Sequence, residues 1–140
     1  MTVTTTMPPP QGWVDKTMIV HSAPHDPAQA LAPNIVVGRD ALIEGEKFAD
    51  FCSRQAAVFR ENLPGYAEEE RESGQLDGRT AMRLNFTWTS GAGPLRQEAV
   101  FIDAGEGVVV NFTSSAAADD FETYRKLFYD QLALLKITAE

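Results

Sequence analysis

Nine residues, Thr80-Ala81-Met82-Arg83-Leu84-Asn85-Phe86-Thr87-Trp88, restrict this chain more than any other stretch. Met82, Leu84, Phe86 and Trp88 point one way, and Arg83, Asn85 and Thr87 point the other. A strict two-residue period of this length predicts a half-buried antiparallel strand. Asp77-Gly78 precedes it, a pair suited to a tight hairpin because both residues tolerate positive φ. Ser90-Gly91-Ala92-Gly93-Pro94 leads to a second strand, Leu95 to Asp103, and Ala104-Gly105-Glu106-Gly107 to a third, Val108 to Ser114. Adjacent strands with short Gly-rich connections make an antiparallel meander.

The remaining segments read as parts that extend or cover that sheet. Thr2 to Met7 is rich in β-branched residues and is expected as a short edge strand, ended by Pro8-Pro9-Pro10. Asp15 to Ser22 and Asn34 to Asp40 are expected as two more strands, with Ala23 to Pro33 a proline-broken loop between them. From Glu46 to Leu63 the period changes. Phe48, Phe51, Cys52, Gln55, Val58, Phe59 and Leu63 share one side of an amphipathic helix that stops at Leu63-Pro64-Gly65. Tyr66 to Leu76, with Glu68, Glu69, Glu70 and Glu72, reads as an exposed strand whose acidic face is solvated.

After the meander, Ser115 with Asp119 and Asp120 favours a helix start by capping and by charge at the positive dipole end. Phe121, Tyr124, Phe128, Leu132 and Leu135 continue at helical spacing, while Leu127 and Leu134 fall off that stripe as a second apolar surface. The expected order is β-β-β-α-β-β-β-β-α. That is an α+β fold, a largely antiparallel sheet with two amphipathic helices, in one domain over residues 1–140.

The totals narrow the function. With 12 basic and 20 acidic residues the net charge is −8, which disfavours nucleic acid and anionic membrane surfaces. The single cysteine, Cys52, excludes an intramolecular disulfide and a Cys-rich metal site. Neither a signal peptide nor a membrane span is visible, so a cytoplasmic protein is expected. The Asn-Phe-Thr triplets at Asn85 and Asn111 lie inside predicted strands and carry no meaning for an unexported chain.

Catalytic patterns are missing. His21 and His25 flank Pro24 in a loop with Asp26, a weak metal signature, and the glutamate run reads as a solvated face. Ser114-Ser115 lacks a nucleophile elbow, and Gly91-Ala92-Gly93 joins strands without opening a helix, so it is no phosphate cradle. Cys52 sits on an apolar helix face as an inert thiol. A non-enzymatic protein without cofactor or metal is expected. Two amides stand out instead: Gln55 in the helix's apolar stripe, and Gln97 on a strand face with Leu95, Ala99 and Phe101. Amides among apolar groups need partners, supplied either internally or by polar groups of a guest.

Several landmarks occur in family order: Pro10-Gln11-Gly12-Trp13-Val14-Asp15-Lys16-Thr17, Asn34-Ile35-Val36-Val37-Gly38-Arg39-Asp40, the Gln55 helix ending Leu63-Pro64-Gly65-Tyr66, and Gln97-Glu98-Ala99-Val100-Phe101. Together they resemble the DcrB-related family, which implies a PsbP-like fold. Within it, a short chain of this kind is similar to the Eag chaperones of type VI secretion. That resemblance implies a homodimer that holds the N-terminal transmembrane helices of secreted effectors until they load on the spike protein, with no direct membrane insertion. Gln55 and Gln97 match glutamines that contact guest helices in that family, and Leu95, Ala99 and Phe101 share the Gln97 face as the apolar part of a cargo surface. Trp13 and Asp15 are expected to be structural, fixing the start of the second strand. The rival reading is an accessory protein of the same fold, binding a folded basic partner through Glu68–Glu72.

Overall fold

The computed structural model describes residues 2–138. The strands are β1 (Ile19–Ser22), β2 (Asn34–Ala41), β3 (Ala67–Leu76), β4 (Arg79–Ser90), β5 (Gly93–Gly105) and β6 (Val108–Ala117). The helices are α1 (Phe48–Asn62), between β2 and β3, and α2 (Phe121–Leu134), after β6. All six strands form one antiparallel sheet in the order β1-β2-β6-β5-β4-β3. The meander supplies its centre. Asp77 and Gly78, at φ 52° and 76°, turn β3 into β4, and Glu106 and Gly107, at φ 53° and 75°, turn β5 into β6.

The two helices lie on opposite faces. On one, Phe51, Cys52 and Ala56 of α1 pack on Met82, Leu84, Phe86, Ala99, Phe101 and Val109. On the other, Phe121 and Phe128 of α2 pack on Ile35, Val100, Ile102, Val110, Phe112 and Ala116. Strand alternation delivers both sets, since neighbours along β5 such as Val100 and Phe101 belong to different cores. Asp50 steadies the start of α1 by accepting from the Lys47 amide at 3.4 Å. At its other end Pro64 C=O accepts from the Thr89 amide at 2.8 Å, fastening α1 to β4.

Three expectations are corrected. Thr2–Met7 forms no strand: the segment is exposed throughout, and the three prolines after it carry no N–H for a ladder. The strand expected from Asp15 begins only at Ile19, the first residue with a ladder partner on β2. Ser115 does not start α2, because β6 continues to Ala117 and Asp120 holds the N-cap position. The polar side of β4 is also not simply solvated. Asn85 is 1% exposed, and beside it Glu98 of β5 is 3% exposed.

Candidate functional site

Helix α1 is 15 residues long and covers only part of its side of the sheet. Cross-strand rows show where its cover ends. One row runs Val20, Val36, Thr113, Ala99 from β1 through β2 and β6 to β5. Exposure along it falls from 58% at Val20 to 1% at Ala99 beneath the helix, with Val36 and Thr113 half-buried. The next row is polar: Ser22, Asn34, Ser115, Gln97. Together they form an open shelf on β1, β2 and β6 beside α1.

The helix turns a defined flank to that shelf. Cys52 and Ser53 share a small cavity with Arg71 and Ser73, so that flank faces β3. The opposite flank, with Arg54, Gln55 and Val58, therefore faces β6 and β2. Arg54 donates to Glu46 at 2.8 and 2.9 Å, and this pair holds the Glu46 carboxyl below its ordinary value. Val58 is 41% exposed.

The sequence-selected residues divide into two groups. Leu95, Ala99 and Phe101 are 7%, 1% and 3% exposed, and Phe101 meets Phe51 edge-on at 5.7 Å. They belong to the core. Gln97 and Gln55 are half-buried. The Gln97 carbonyl accepts from Trp88 Nε1 at 2.6 Å, and its amide donates to Ser115 Oγ at 2.7 Å. Gln55 makes no side-chain hydrogen bond among the described residues. One amide is thus locked by neighbours on the sheet, and the other stands free on the shelf-side flank. Sequence reading did not single out Asn34, Val36, Thr113 and Ser115, because the register that aligns them with Gln97 is set by pairing between distant segments.

The other candidates have structural partners. Glu68 pairs with Arg71 at 2.6 Å, Glu70 and Glu72 with Arg83 at 2.8 and 2.9 Å, and Glu69 with Arg96 at 4.0 Å. Arg83 also reaches buried Glu98 at 2.7 Å. Burial works against the Arg83 cation, but its bonds to Glu72, Glu98 and Glu70 outweigh it and raise its pKa. Burial also pushes the Cys52 thiol up to about 11, leaving it protonated at neutral pH. His21, His25 and Asp26 line one cavity, yet no metal-holding group of three His, Cys, Asp or Glu exists among the described residues. Among those residues no helix is long and apolar enough to cross a membrane.

A sheet with one helix on each face and an antiparallel meander at its centre is the PsbP-like α+β architecture. CyanoP, the cyanobacterial PsbP of Synechocystis, superposes with a TM-score of 0.55 at 16% identity, over 84% of this chain and 79% of its own. The Pseudomonas aeruginosa protein PA94 superposes with a TM-score of 0.82 at 22% identity, over 94% and 90% of the two chains. By sequence the chain belongs to the DcrB family, whose profile matches residues 5–133. It is also 26% identical over 110 residues to the effector EagT6 of Pseudomonas aeruginosa, covering 79% of this chain and 76% of that protein.

Proposed function

We propose that the protein is a cytoplasmic chaperone for type VI secretion, binding the hydrophobic N-terminal helices of an effector and keeping them soluble for loading on the spike. The observation that carries this reading is the open shelf beside α1, where apolar Val20, Val36 and Val58 adjoin the polar groups of Asn34, Gln97 and the unpartnered Gln55. Similarity to EagT6, whose name is that of an effector, supports the link to secretion. The physics suits a binding protein. A transmembrane segment of about 20 apolar residues aggregates in water unless another apolar surface covers it. Covering about 1,000 Å² of guest releases on the order of 25 kcal/mol before ordering costs, so neither ATP nor a covalent step is needed. The protein acts without catalysis and as a homodimer, since one small shelf covers only part of a long helix.

Co-expression with an effector's N-terminal hydrophobic fragment tests the reading. The fragment is expected in the soluble fraction, in a complex that survives high salt. A fragment that stays insoluble beside folded partner overturns the chaperone role. The rival acidic-face reading is weakened by the arginines already paired with Glu68, Glu69, Glu70 and Glu72. Capture of a basic soluble protein, lost as salt rises, would restore it.

A further inference from the structure

Gly38 sits where the strand itself gives no reason for a glycine. It lies inside β2, opposite Asn111 of β6, and its φ is not positive. A glycine in such a place loses extra entropy on folding and leaves nothing to pack, so strand interiors ordinarily avoid it. Crowding does not call for it either. A methyl group added at Gly38 would meet Asn111 Oδ1 at 3.4 Å, Asn111 Nδ2 at 3.6 Å and Met18 Sδ at 3.6 Å, all ordinary contact distances. Alanine would fit. The remaining cause for a strand glycine is room for something that comes from outside the chain.

The missing side chain belongs to the shelf side of the sheet. Alternate residues of a strand share a face, so Gly38 follows Val36 there, and its row continues through Asn111 to Phe101 beneath α1. The gap is thus a depression in the shelf floor, one row beyond Val20 and Val36. One wall is fixed, because Asn111 Nδ2 donates to Asp40 Oδ2 at 2.7 Å. The other wall is soft. Met18, just before β1, rests its sulfur against buried Gly38 while the residue as a whole stays 59% exposed. An unbranched thioether fills irregular gaps and adopts other rotamers at little cost.

We infer that Gly38 is a socket for one long apolar side chain of the guest helix, with Met18 filling it until the guest arrives. A single depression between Val36 and Asp40 suits a protruding Phe, Leu or Met. It does not suit the flat face of a small-residue helix, because the larger neighbours hold the guest backbone off the sheet. The inference rests on the chaperone reading and deepens it, naming the kind of residue the guest carries where it crosses β2.

Calorimetric titration of the full chain with two synthetic Lys-flanked helices of about 20 residues tests it. Both have a uniform Val-Ala body, whose short side chains cannot reach the socket floor. One carries a central Phe and the other a central Val, and the uniform body lets the helix slide until the Phe meets Gly38. Wild type should bind the Phe helix about fivefold tighter, and Gly38→Val should weaken the Phe helix about fivefold while changing the Val helix less than about twofold. Gly38→Ala should melt no lower than wild type, and a fall of more than about 5 °C would show that the chain itself needs the glycine. That result would overturn the socket. So would equal binding of the two helices by wild type, or equal weakening of both in Gly38→Val, and either would leave the chaperone reading standing. If wild type binds neither helix, the chaperone reading fails and the socket goes with it.

Discussion

The two faces of the sheet are closed by different chemistry. Under α1 the contact is aromatic and continuous: Phe59 stacks on Phe86 at 5.0 Å, Tyr66 tilts against Phe86 at 5.2 Å, and Phe51 meets Phe101 at 5.7 Å. Under α2 the apolar part is joined by an ionic cluster. Glu98 accepts from Arg83 at 2.7 Å and from Asn85 at 3.2 Å, Arg96 bonds the Asn85 carbonyl, and Arg125 approaches Glu98 at 4.0 Å. Apolar burial as such is non-directional, so α1 can lie across one end of the sheet and leave a shelf uncovered. Charge-assisted bonds are directional and tie β4, β5 and α2 in one relative placement. In the function proposed above, the face with the tolerant closure is the one that receives the guest helix.

The largest effects should come from the cores. Phe86→Ala is expected to remove about 4 kcal/mol from urea unfolding, because the ring is 1% exposed and contacts both Phe59 and Tyr66. Glu98→Gln is expected to remove about 3 kcal/mol by leaving Arg83 without its buried partner. A loss below about 1 kcal/mol for Glu98→Gln would mean that Glu70 and Glu72 alone satisfy Arg83, and the ionic half of the comparison would fall.

The meander and both helices were legible because their signals are local: Met82, Leu84, Phe86 and Trp88 at period two, and Phe48, Phe51, Cys52 and Phe59 at helical spacing. Assigning α1 and α2 to opposite faces was not, since alternation in β5 serves both sides equally. Asn85 and Glu98 read as surface residues by type, and only the arginines brought from β4, β5 and α2 make their burial tolerable. Thr2–Met7 has strand-like composition without a strand to pair with. For the site, Gln55 and Gln97 were visible as polar residues on apolar faces. The shelf joining them depends on β2–β6 pairing between Asn34–Ala41 and Val108–Ala117, segments too far apart in sequence for any local pattern to align.

The two amides separate binding from structure on the α1 side. Gln97→Ala strips partners from Trp88 Nε1 and Ser115 Oγ and should cost about 1–2 kcal/mol of folding stability. Gln55→Ala removes no internal bond and should change stability by less than about 0.5 kcal/mol. Its cost should fall on cargo affinity instead, about fivefold, near 1 kcal/mol. Thermal unfolding and titration with a solubilised effector helix read the two quantities. Stability loss with unchanged affinity in Gln55→Ala would take that amide out of the binding surface.

The smallest expected effect concerns the tether of the N-terminal segment, which reaches the α2 side of the sheet through Arg39. Asp15 accepts from the Thr17 amide at 2.8 Å and pairs with Arg39 at 2.9 Å. The bonds from Thr17, and after them Arg39, lower its pKa from 3.8 to about 2. The folded state therefore favours the ionised carboxylate. The tether's contribution is complete above the ordinary value and is lost as pH falls through about 2. Both partners are solvent-exposed, so the signature is local rather than a shift of global stability. The Thr17 amide resonance should stay nearly flat from pH 6 to pH 3, where a free aspartate would already be mostly protonated. In Arg39→Ala the midpoint should rise only part of the way to 3.8, because the Thr17 bonds are the larger cause. A wild-type midpoint at 3.8 would show that the segment before β1 is not held by Asp15, and that Arg39 tethers nothing on the α2 side.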